Sequence, residues 1–577
     1  MTGRHALGVH IGHDRGAALV SDGVLVAQIA EERLDRVKHS NAPDLPLRSI
    51  RAVLDIGHIR PDDLGVAGIS YTNVDIGAVL PLLAEEMQDD LGVPSLEVIG
   101  VGHHDAHAWS GWCTTDLTEA LIVVADGSGD VVNGRLEAES VYLGAGDSIH
   151  LLGRRLQDFG TSRMTRRNSF MLPYMIDADR TKDISLGNKY EQFTYLAGFS
   201  QREGGKTMGL AAYADPLFRP EIPAIRDLQF PLQFETGLIE IDRLWRQSGD
   251  AWHRFVRQRA AAIAASGQSL LEEYMLALLR TLDPSGAHRN LCAAGGVFLN
   301  CQMNGRIVRE TRFENLHVVP AAGDDGQCIG SAFFAYAQAF APPQRGADPL
   351  PYLGPHYDRA AITQDIQRAE LSAEELEDGQ LMERIAQALA DGLIVGLFRG
   401  RSECGPRALC HRSLLADPRR ADMKDRLNGL KGRELFRPFA PAVTEEDQAT
   451  FFELEPPSPF MLVATALRPR FRDVLPAITH IDGSARVQAV SRAKEPFIHA
   501  LLRAFAARTG YPVLLNTSFN LAGEPIVESP RDAINTFLAS EIDCLVLENQ
   551  FLHRKATSRS LSAPPTAPRD PPPSLRS

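Results

Sequence analysis

The chain has 577 residues, 44% of them hydrophobic and 23% charged, with a formal net charge of -13. That length exceeds one typical core and the composition is that of ordinary globular protein, so two or more domains are expected. The acidic balance argues against a main role on nucleic-acid backbones, which it would repel, and no apolar run approaches membrane-spanning length.

The beginning of the sequence passes straight into a strand pattern, without the charged and apolar regions of a signal peptide. The seven cysteines are scattered, odd in number and form no CxxC pair. This predicts reduced thiols and a cytoplasmic location, not a disulfide framework or a zinc ribbon.

Ala6 to Ile11 is a β-type run, Gly12-His13-Asp14-Arg15-Gly16 a turn, and Ala17 to Val20 a second strand before Asp22-Gly23 turns again. A Gly-flanked polar turn lets a backbone approach a phosphate or a metal-bound group, although a plain hairpin has the same pattern. Glu31 to His39 is a dense charge cluster, expected to be a solvated face.

Gly102-His103-His104-Asp105-Ala106-His107 follows, then the apolar run Leu121 to Ala125, Asp126 and Gly127-Ser128-Gly129. Histidines four apart share one face of a helix, so His103 and His107 can converge on one metal ion. Asp126 falls at the mouth of a buried strand. Two imidazoles with a carboxylate suit iron, manganese or zinc and leave positions open for a substrate. Partly buried histidines beside an ordinary strand-end aspartate are the plain alternative.

Glu119 to Leu143 repeats the strand, acidic turn and strand of the first segment, which predicts a duplicated nucleotide-binding unit of the actin, sugar-kinase and Hsp70 kind. Residues 155 to 182 carry Arg163, Arg166, Arg167, Arg180 and Lys182 with three aromatic residues, Phe159, Phe170 and Tyr174. They read as an insertion that is either an acceptor-binding lid or a surface excursion. Leu186 to Phe199 reads as a helix and Gly204 to Ala211 as a Gly-rich turn around Lys206 without P-loop spacing.

Residues 251 to 282 read as a long helix. Leu291 to Asn300 then reads as a strand whose Gly295-Gly296 opens a helix toward a ligand. Asp324 and Asp325 lie in another strand-end turn, and either could supply a fourth metal ligand.

The Pro/Gly-rich stretch from Ala341 to Pro355 reads as a linker. It separates domain 1–345 from domain 357–555, with 346–356 between. The second part opens with a charged helix around 360 to 392 and a strand from Leu393 to Phe398. Three Gly/Pro-rich loops then bring Arg407, Lys431, Arg437 and Arg486 together with Asn516 and Ser518, types suited to phosphate and carboxylate oxygens. Residues 556–577, rich in Pro and Ser, read as a disordered tail.

These residues form a pattern. HHxAH at 103 to 107, ADGSG at 125 to 129, GKTMGLA at 205 to 211, AGGVFLN at 294 to 300, GPRALCHRS at 405 to 413, RPFAP at 437 to 441, and LNTSFN with GEPIV at 515 to 527 occur in order. The chain thereby resembles the O-carbamoyltransferases of the nodulation-protein-U and antibiotic-tailoring family, from about residue 6 to about residue 555.

The resemblance implies an α/β protein: an actin-like, Kae1-like duplicated N-terminal domain followed by a YrdC-like α/β domain. The latter would make carbamoyl-adenylate from carbamoyl phosphate and ATP with Mg²⁺, and the former would transfer the carbamoyl group to a hydroxyl of a small-molecule natural product. It also implies a bound Fe²⁺, or another divalent metal, on His103, His107, Asp126 and Asp324, with the choice between Asp324 and Asp325 open. His13, Asp14 and Lys38 would lie near the transfer site. Gly295, Gly296, Arg407, Lys431, Arg437, Arg486, Asn516 and Ser518 would bind nucleotide and anions.

The expected partners are a small-molecule hydroxyl acceptor and, at most, a second copy of the chain, with no nucleic acid and no membrane. The rival readings are an actin-like ATPase or small-molecule kinase, threonylcarbamoyl transfer to tRNA, and a non-catalytic nucleotide-binding protein.

Overall fold

The computed structural model describes residues 3–157, 184–200, 202–217, 250–346 and 351–554. Most of the 155–182 insertion and the whole 556–577 tail lie outside the described residues. Among those described, no helix is long and apolar enough to cross a membrane. All seven cysteines are free and buried.

The N-terminal part is built from two sheets of the same plan. In the first, β1 (His5–His13), β2 (Gly16–Ser21) and β3 (Val24–Ala30) form an antiparallel meander. β4 (Asn41–Ala42) joins the end of β1, and β5 (Val66–Tyr71) and β6 (Glu97–Gly100) add in parallel, giving the order β3-β2-β1-β5-β6. The second contains β7 (Glu119–Ala125), β8 (Val131–Val132), β9 (Arg135–Ala145), β10 (Ser148–Gln157), β11 (Asn290–Ala294) and β12 (Asn315–Val318). Its order, β10-β9-β7-β11-β12, repeats the first, with β8 added on β9. This duplicated meander-plus-parallel arrangement is the actin-like fold, and it confirms the duplication read from the two acidic hairpins.

Strand alternation explains how the first sheet serves two cores. Leu7, Val9 and Ile11 face a cluster with Ile50, Val53 and Met87. Ala6, on the opposite face, joins the cluster between the sheets. Each such aliphatic side chain, fully buried, contributes about 1.5–3 kcal/mol.

Two helices fill the space between the sheets. Gln327–Ala339 packs on β1, β2 and β5, His103–Cys113 packs on β7 and β11, and the two helices pack on each other. Their closest approach requires Gly330, where a Cβ would run into the carbonyl of Ala106.

The C-terminal part is an eight-stranded mixed sheet in which Val395–Phe398 and Arg412–Ala416 are central. Helices Asp378–Ala390 and Pro496–Thr509 cover one face. Helices Arg359–Arg368, Met423–Leu430 and Pro530–Leu538 cover the other. It is an α/β domain, as the resemblance implied. The large N-terminal cluster also takes in Leu353, Cys404, Phe436 and Leu462, so apolar packing continues across the two parts.

Four local expectations are corrected. Gly204–Ala211 is a helix and not a turn, because Gly209 packs against Phe436 and Pro438, which bury that face. The helix expected over 360 to 392 is two helices, broken where Glu370 takes a left-handed φ of 55°. Gly295-Gly296 leads into a short 3₁₀ turn, and the next helix, Cys301–Glu310, starts later under an Asn300 cap.

The charge cluster at 31–39, expected as a solvated face, is exposed only at Val37 and Lys38. Glu31 accepts from Ser49 N and Oγ at 2.8 and 2.7 Å. Buried Arg33 donates to the carbonyls of Glu403 and Gly405 at 3.4 and 3.1 Å, docking the two parts of the chain.

Candidate active site

His103 and His107 sit one turn apart at the start of the His103–Cys113 helix, fully buried between the sheets. Asp126 ends β7. Its Oδ1 accepts from the N–H of Gly127 at 2.7 Å and of Gly296 at 3.3 Å, which turns Oδ2 toward the imidazoles. That oxygen lies 3.1 Å from His107 Nε2 and 3.4 Å from His103 Nε2.

Gly295 makes this junction possible. Its φ of 97° favours glycine, and a Cβ would strike the Ala125 carbonyl. The Gly295-Gly296 pair therefore shapes the Asp126 end of the site.

Asp324, in the turn after β12 of the same sheet, reaches the same point. Its Oδ1 is 3.4 Å from each histidine Nε2, and Oδ2 accepts from Thr72 Oγ1 at 3.1 Å. Asp325 does not join the group. It is buried beside Asp14, Glu32 and Asp324, and burial first, then those charges, push its carboxyl up to about 8. The structure thus brings Asp324, and not its neighbour, to the imidazoles.

The four ligand atoms of His103, His107, Asp126 and Asp324 lie within 4.8 Å of one another. The donor set fits a divalent metal. Burial disfavours charge on all four groups, yet attraction between His103 and Asp324 raises one pKa and lowers the other well beyond ordinary values. Two buried carboxylates therefore demand positive charge at this point, and a cation would supply it with the imidazoles neutral.

Gln327 Nε2 reaches the same centre, 2.8 Å from His103 Nε2 and 3.0 Å from Asp324 Oδ1. It was not foreseen from the sequence, although it lies three residues after Asp324 at the start of a helix. His10, hydrogen-bonded through Nδ1 to Ser70 Oγ at 2.9 Å, borders Asp324 and is kept neutral, its pKa driven by burial to about 3.

His13 borders this centre, with Nδ1 3.6 Å from Asp324 Oδ2 and Nε2 3.2 Å from Asp14 Oδ2. Burial opposes its charge, but the hydrogen bond to Asp324 and the charges of Asp14 and Asp324 outweigh it and raise its pKa. Lys38 stands apart from the histidines. It faces Glu32, Arg437, Glu203 and Lys206, and its pKa is lowered by desolvation first and by Arg437 and Lys206. Lys206 itself bridges Glu203 at 2.6 Å and Glu434 at 2.7 Å, joining the two parts of the chain.

Lys38 thus borders a second centre. Arg407, Lys431, Arg433, Arg437 and Arg486 gather on the C-terminal loops. Burial, and then the other cations of the group, lower the pKa of Arg407 to about 9 and depress those of Lys431 and Arg433. Among the described residues, only Arg437 of these five has an ion pair, with Glu434 at 3.9 Å. Buried like charges without counter-ions destabilise a fold, so this cluster suits a polyanionic ligand.

Lys431 Nζ donates to Ser518 Oγ at 3.1 Å and to Asn520 Oδ1 at 2.9 Å. Asn516 is buried behind Arg407. Its Nδ2 donates to Gln488 Oε1 at 2.7 Å and to the Ala408 carbonyl at 3.1 Å, bracing the Arg407 loop. Glu403 closes the same loop, its Oε1 accepting from the N–H groups of Leu409, His411 and Arg412 at 2.7, 2.9 and 3.0 Å. Arg433 and Glu403 were passed over because nothing local separates them from surface charges.

Both parts of the chain match known proteins. Residues 82–333 match the family model for the carbamoyltransferase N-terminus and residues 386–554 that for the carbamoyltransferase C-terminus. The chain is 34% identical to nodulation protein NolNO of Sinorhizobium fredii, over 96% of this chain and 82% of that protein. It is 39% identical to a 3'-hydroxymethylcephem-O-carbamoyltransferase of Amycolatopsis lactamdurans, over 42% of this chain and 45% of that one. Among solved structures, full-length HypF in its phosphate- and nucleotide-bound form matches with a TM-score of 0.39 and 13% identity, covering 57% of this chain and 54% of HypF.

Proposed function

The chain belongs to the carbamoyltransferase family, and from that premise we propose an ATP-dependent O-carbamoyltransferase acting on a hydroxyl of a small-molecule natural product. It divides at 346–356 into a transfer domain and an adenylate-forming domain. In the second domain, carbamoyl phosphate and water yield carbamate and phosphate. Carbamate then attacks the α-phosphorus of ATP, giving carbamoyl-adenylate and pyrophosphate. In the first domain an acceptor hydroxyl attacks the carbamoyl carbon and AMP leaves.

The observation that carries this reading is the coexistence of two complementary centres, a convergent His/Asp set and a cluster of five cations with one ion pair, Arg437 to Glu434, among the described residues. Arg407, Lys431, Arg433, Arg437 and Arg486 would bind the phosphates of ATP, with its Mg²⁺, and of carbamoyl phosphate. Ser518 and Asn520 orient Lys431.

His103, His107, Asp126 and Asp324 would hold the metal, Fe²⁺ on the family expectation, and the bound ion supplies Lewis acidity for charge developing on the carbamoyl or phosphate oxygens. His13 and Asp14 handle the acceptor hydroxyl and its proton. Lys38, beside Arg437 at the border of the cation cluster, would draw the adenylate's phosphate. A natural-product acceptor is supported by the relative named for a hydroxymethylcephem substrate.

The test is pyrophosphate release from ATP by the purified protein, with and without carbamoyl phosphate. Release strictly dependent on carbamoyl phosphate supports adenylation. Formation of ADP would replace this reading with that of an actin-like ATPase or kinase.

A further inference from the structure

A second set of potential ligands lies beside the first and shares His13 as its border. β4 pairs antiparallel with the end of β1, His13 opposite Asn41, and this register brings the loop before β4 alongside Asp14. The N–H of His39 is held by Glu32 Oε2 at 2.7 Å, and its Nδ1 lies 2.9 Å from Asp14 Oδ1. His13 Nε2 lies 3.2 Å from Asp14 Oδ2, and the two imidazoles stack at 5.9 Å with an interplanar angle of 11°.

One ligand atom each from His13, Asp14 and His39 falls within 4.8 Å of the others. Three further observations separate this group from an ordinary hydrogen-bonded triad. His13 Nε2 is enclosed and makes no hydrogen bond among the described residues, while its Nδ1 faces the Asp324 carboxylate. A metal-ligating histidine likewise turns its other ring nitrogen toward a carboxylate, here Asp324 Oδ2 at 3.6 Å.

Asp14 and His39 both adopt left-handed backbone, with φ of 53° and 56°, a cost that persists where the surroundings impose it. The imidazole-to-carboxylate spacings, 2.9 and 3.2 Å, are at least as close as the mean of the first set's 3.1–3.4 Å. Unlike the first set, these side chains are partly open, at 24%, 20% and 39% exposure for His13, Asp14 and His39.

We propose that His13, Asp14 and His39 form a second divalent-cation site, of the two-imidazole, one-carboxylate type that takes Zn²⁺, Mn²⁺ or Fe²⁺, with open coordination positions on its exposed side. Asp324 stands between the sites, Oδ1 toward His103 and His107 and Oδ2 toward His13. A hydroxyl ligated there is made more acidic, which is how His13 and Asp14 would promote loss of the acceptor's proton. That role rests on the carbamoyl-transfer reading; the cation site itself does not.

The experiment is a Mn²⁺ titration of the chelator-stripped full-length protein, with free Mn²⁺ counted by its paramagnetic resonance signal. Wild type is expected to bind two equivalents. Asp14→Asn, which keeps a residue tolerant of left-handed backbone, and His39→Ala should each lose one equivalent and retain the other. One equivalent in the wild type, or two in both variants, overturns the proposal. Pyrophosphate release, measured on the same wild-type preparation, tests the carbamoyl-transfer reading separately.

Discussion

The carboxylate of Asp130 accepts the backbone N–H of His103 at 2.9 Å, and Glu137 accepts the N–H of Asp130 at 3.0 Å. The helix bearing both imidazoles therefore begins against a carboxyl supplied by the loop after Asp126, one that burial pushes up to about 7. Its oxygen satisfies an N–H at the start of the helix in either protonation state and fixes the helix register relative to β7. Asp130→Ala should cost about 1 kcal/mol of stability. It should also weaken metal binding about 10- to 100-fold, as outer-shell changes do. Calorimetric metal titration beside a thermal melt checks both effects.

His103→Ala should abolish carbamoyl transfer while leaving carbamoyl phosphate-dependent pyrophosphate release largely intact, because the cation cluster is on other loops. Loss of both activities in a folded variant would contradict the division of labour between the two centres.

Asp324→Asn should remove metal from the first site, and Asp325→Asn should not. The two aspartates are sequence neighbours, but only Asp324 has an oxygen 3.4 Å from both histidines. Metal content of the two purified variants decides the assignment, and equal losses would contradict it.

Arg407→Met should raise thermal stability and lose function together. The half-buried guanidinium lies among other cations, and its one hydrogen bond among the described residues is to the Leu299 carbonyl at 3.1 Å. Relief of about 1 kcal/mol of repulsion would move the melting midpoint up by about 2–4 °C. Pyrophosphate release should fall at least about 10-fold, the cost of one charged phosphate contact. A variant both less stable and fully active would contradict the anion-site assignment.

Glu528 gives a pH dependence of stability. Its buried carboxylate lies 3.8 Å from Arg412 and 4.0 Å from Arg33, and burial, outweighing those cations, raises its pKa to about 7. A carboxyl with a raised folded-state pKa binds its proton more tightly when folded. Its stabilising effect is complete below the ordinary carboxylate range and disappears as pH rises through about 7. Chemical denaturation at pH 5 and at pH 7.5 should show a loss on the order of 1–3 kcal/mol in the wild type. Glu528→Gln should flatten that difference, and an unchanged slope would remove Glu528 as its source.

Local patterns carried much of this protein in the sequence alone. Helical periodicity placed His103 and His107 on one face, and alternating runs ended by acidic turns revealed both hairpins of the duplicated fold. Asp126 was legible because it closes an apolar strand. These depend on residues within a few positions of one another, where backbone geometry leaves little choice.

The tertiary structure decided which charges meet. Asp324 rather than Asp325 reaches the imidazoles because the turn after β12 aims one carboxylate between the sheets and leaves the other beside Glu32 and Asp14. The Glu31–His39 cluster, which reads as solvated surface, became a domain contact through Arg33 and a possible ligand through His39. Arg433 differs from a surface arginine only because burial leaves it without a carboxylate partner among the described residues. The energy of a charge depends on neighbours brought from hundreds of residues away and on the water they exclude, and neither is written in the spacing of the chain.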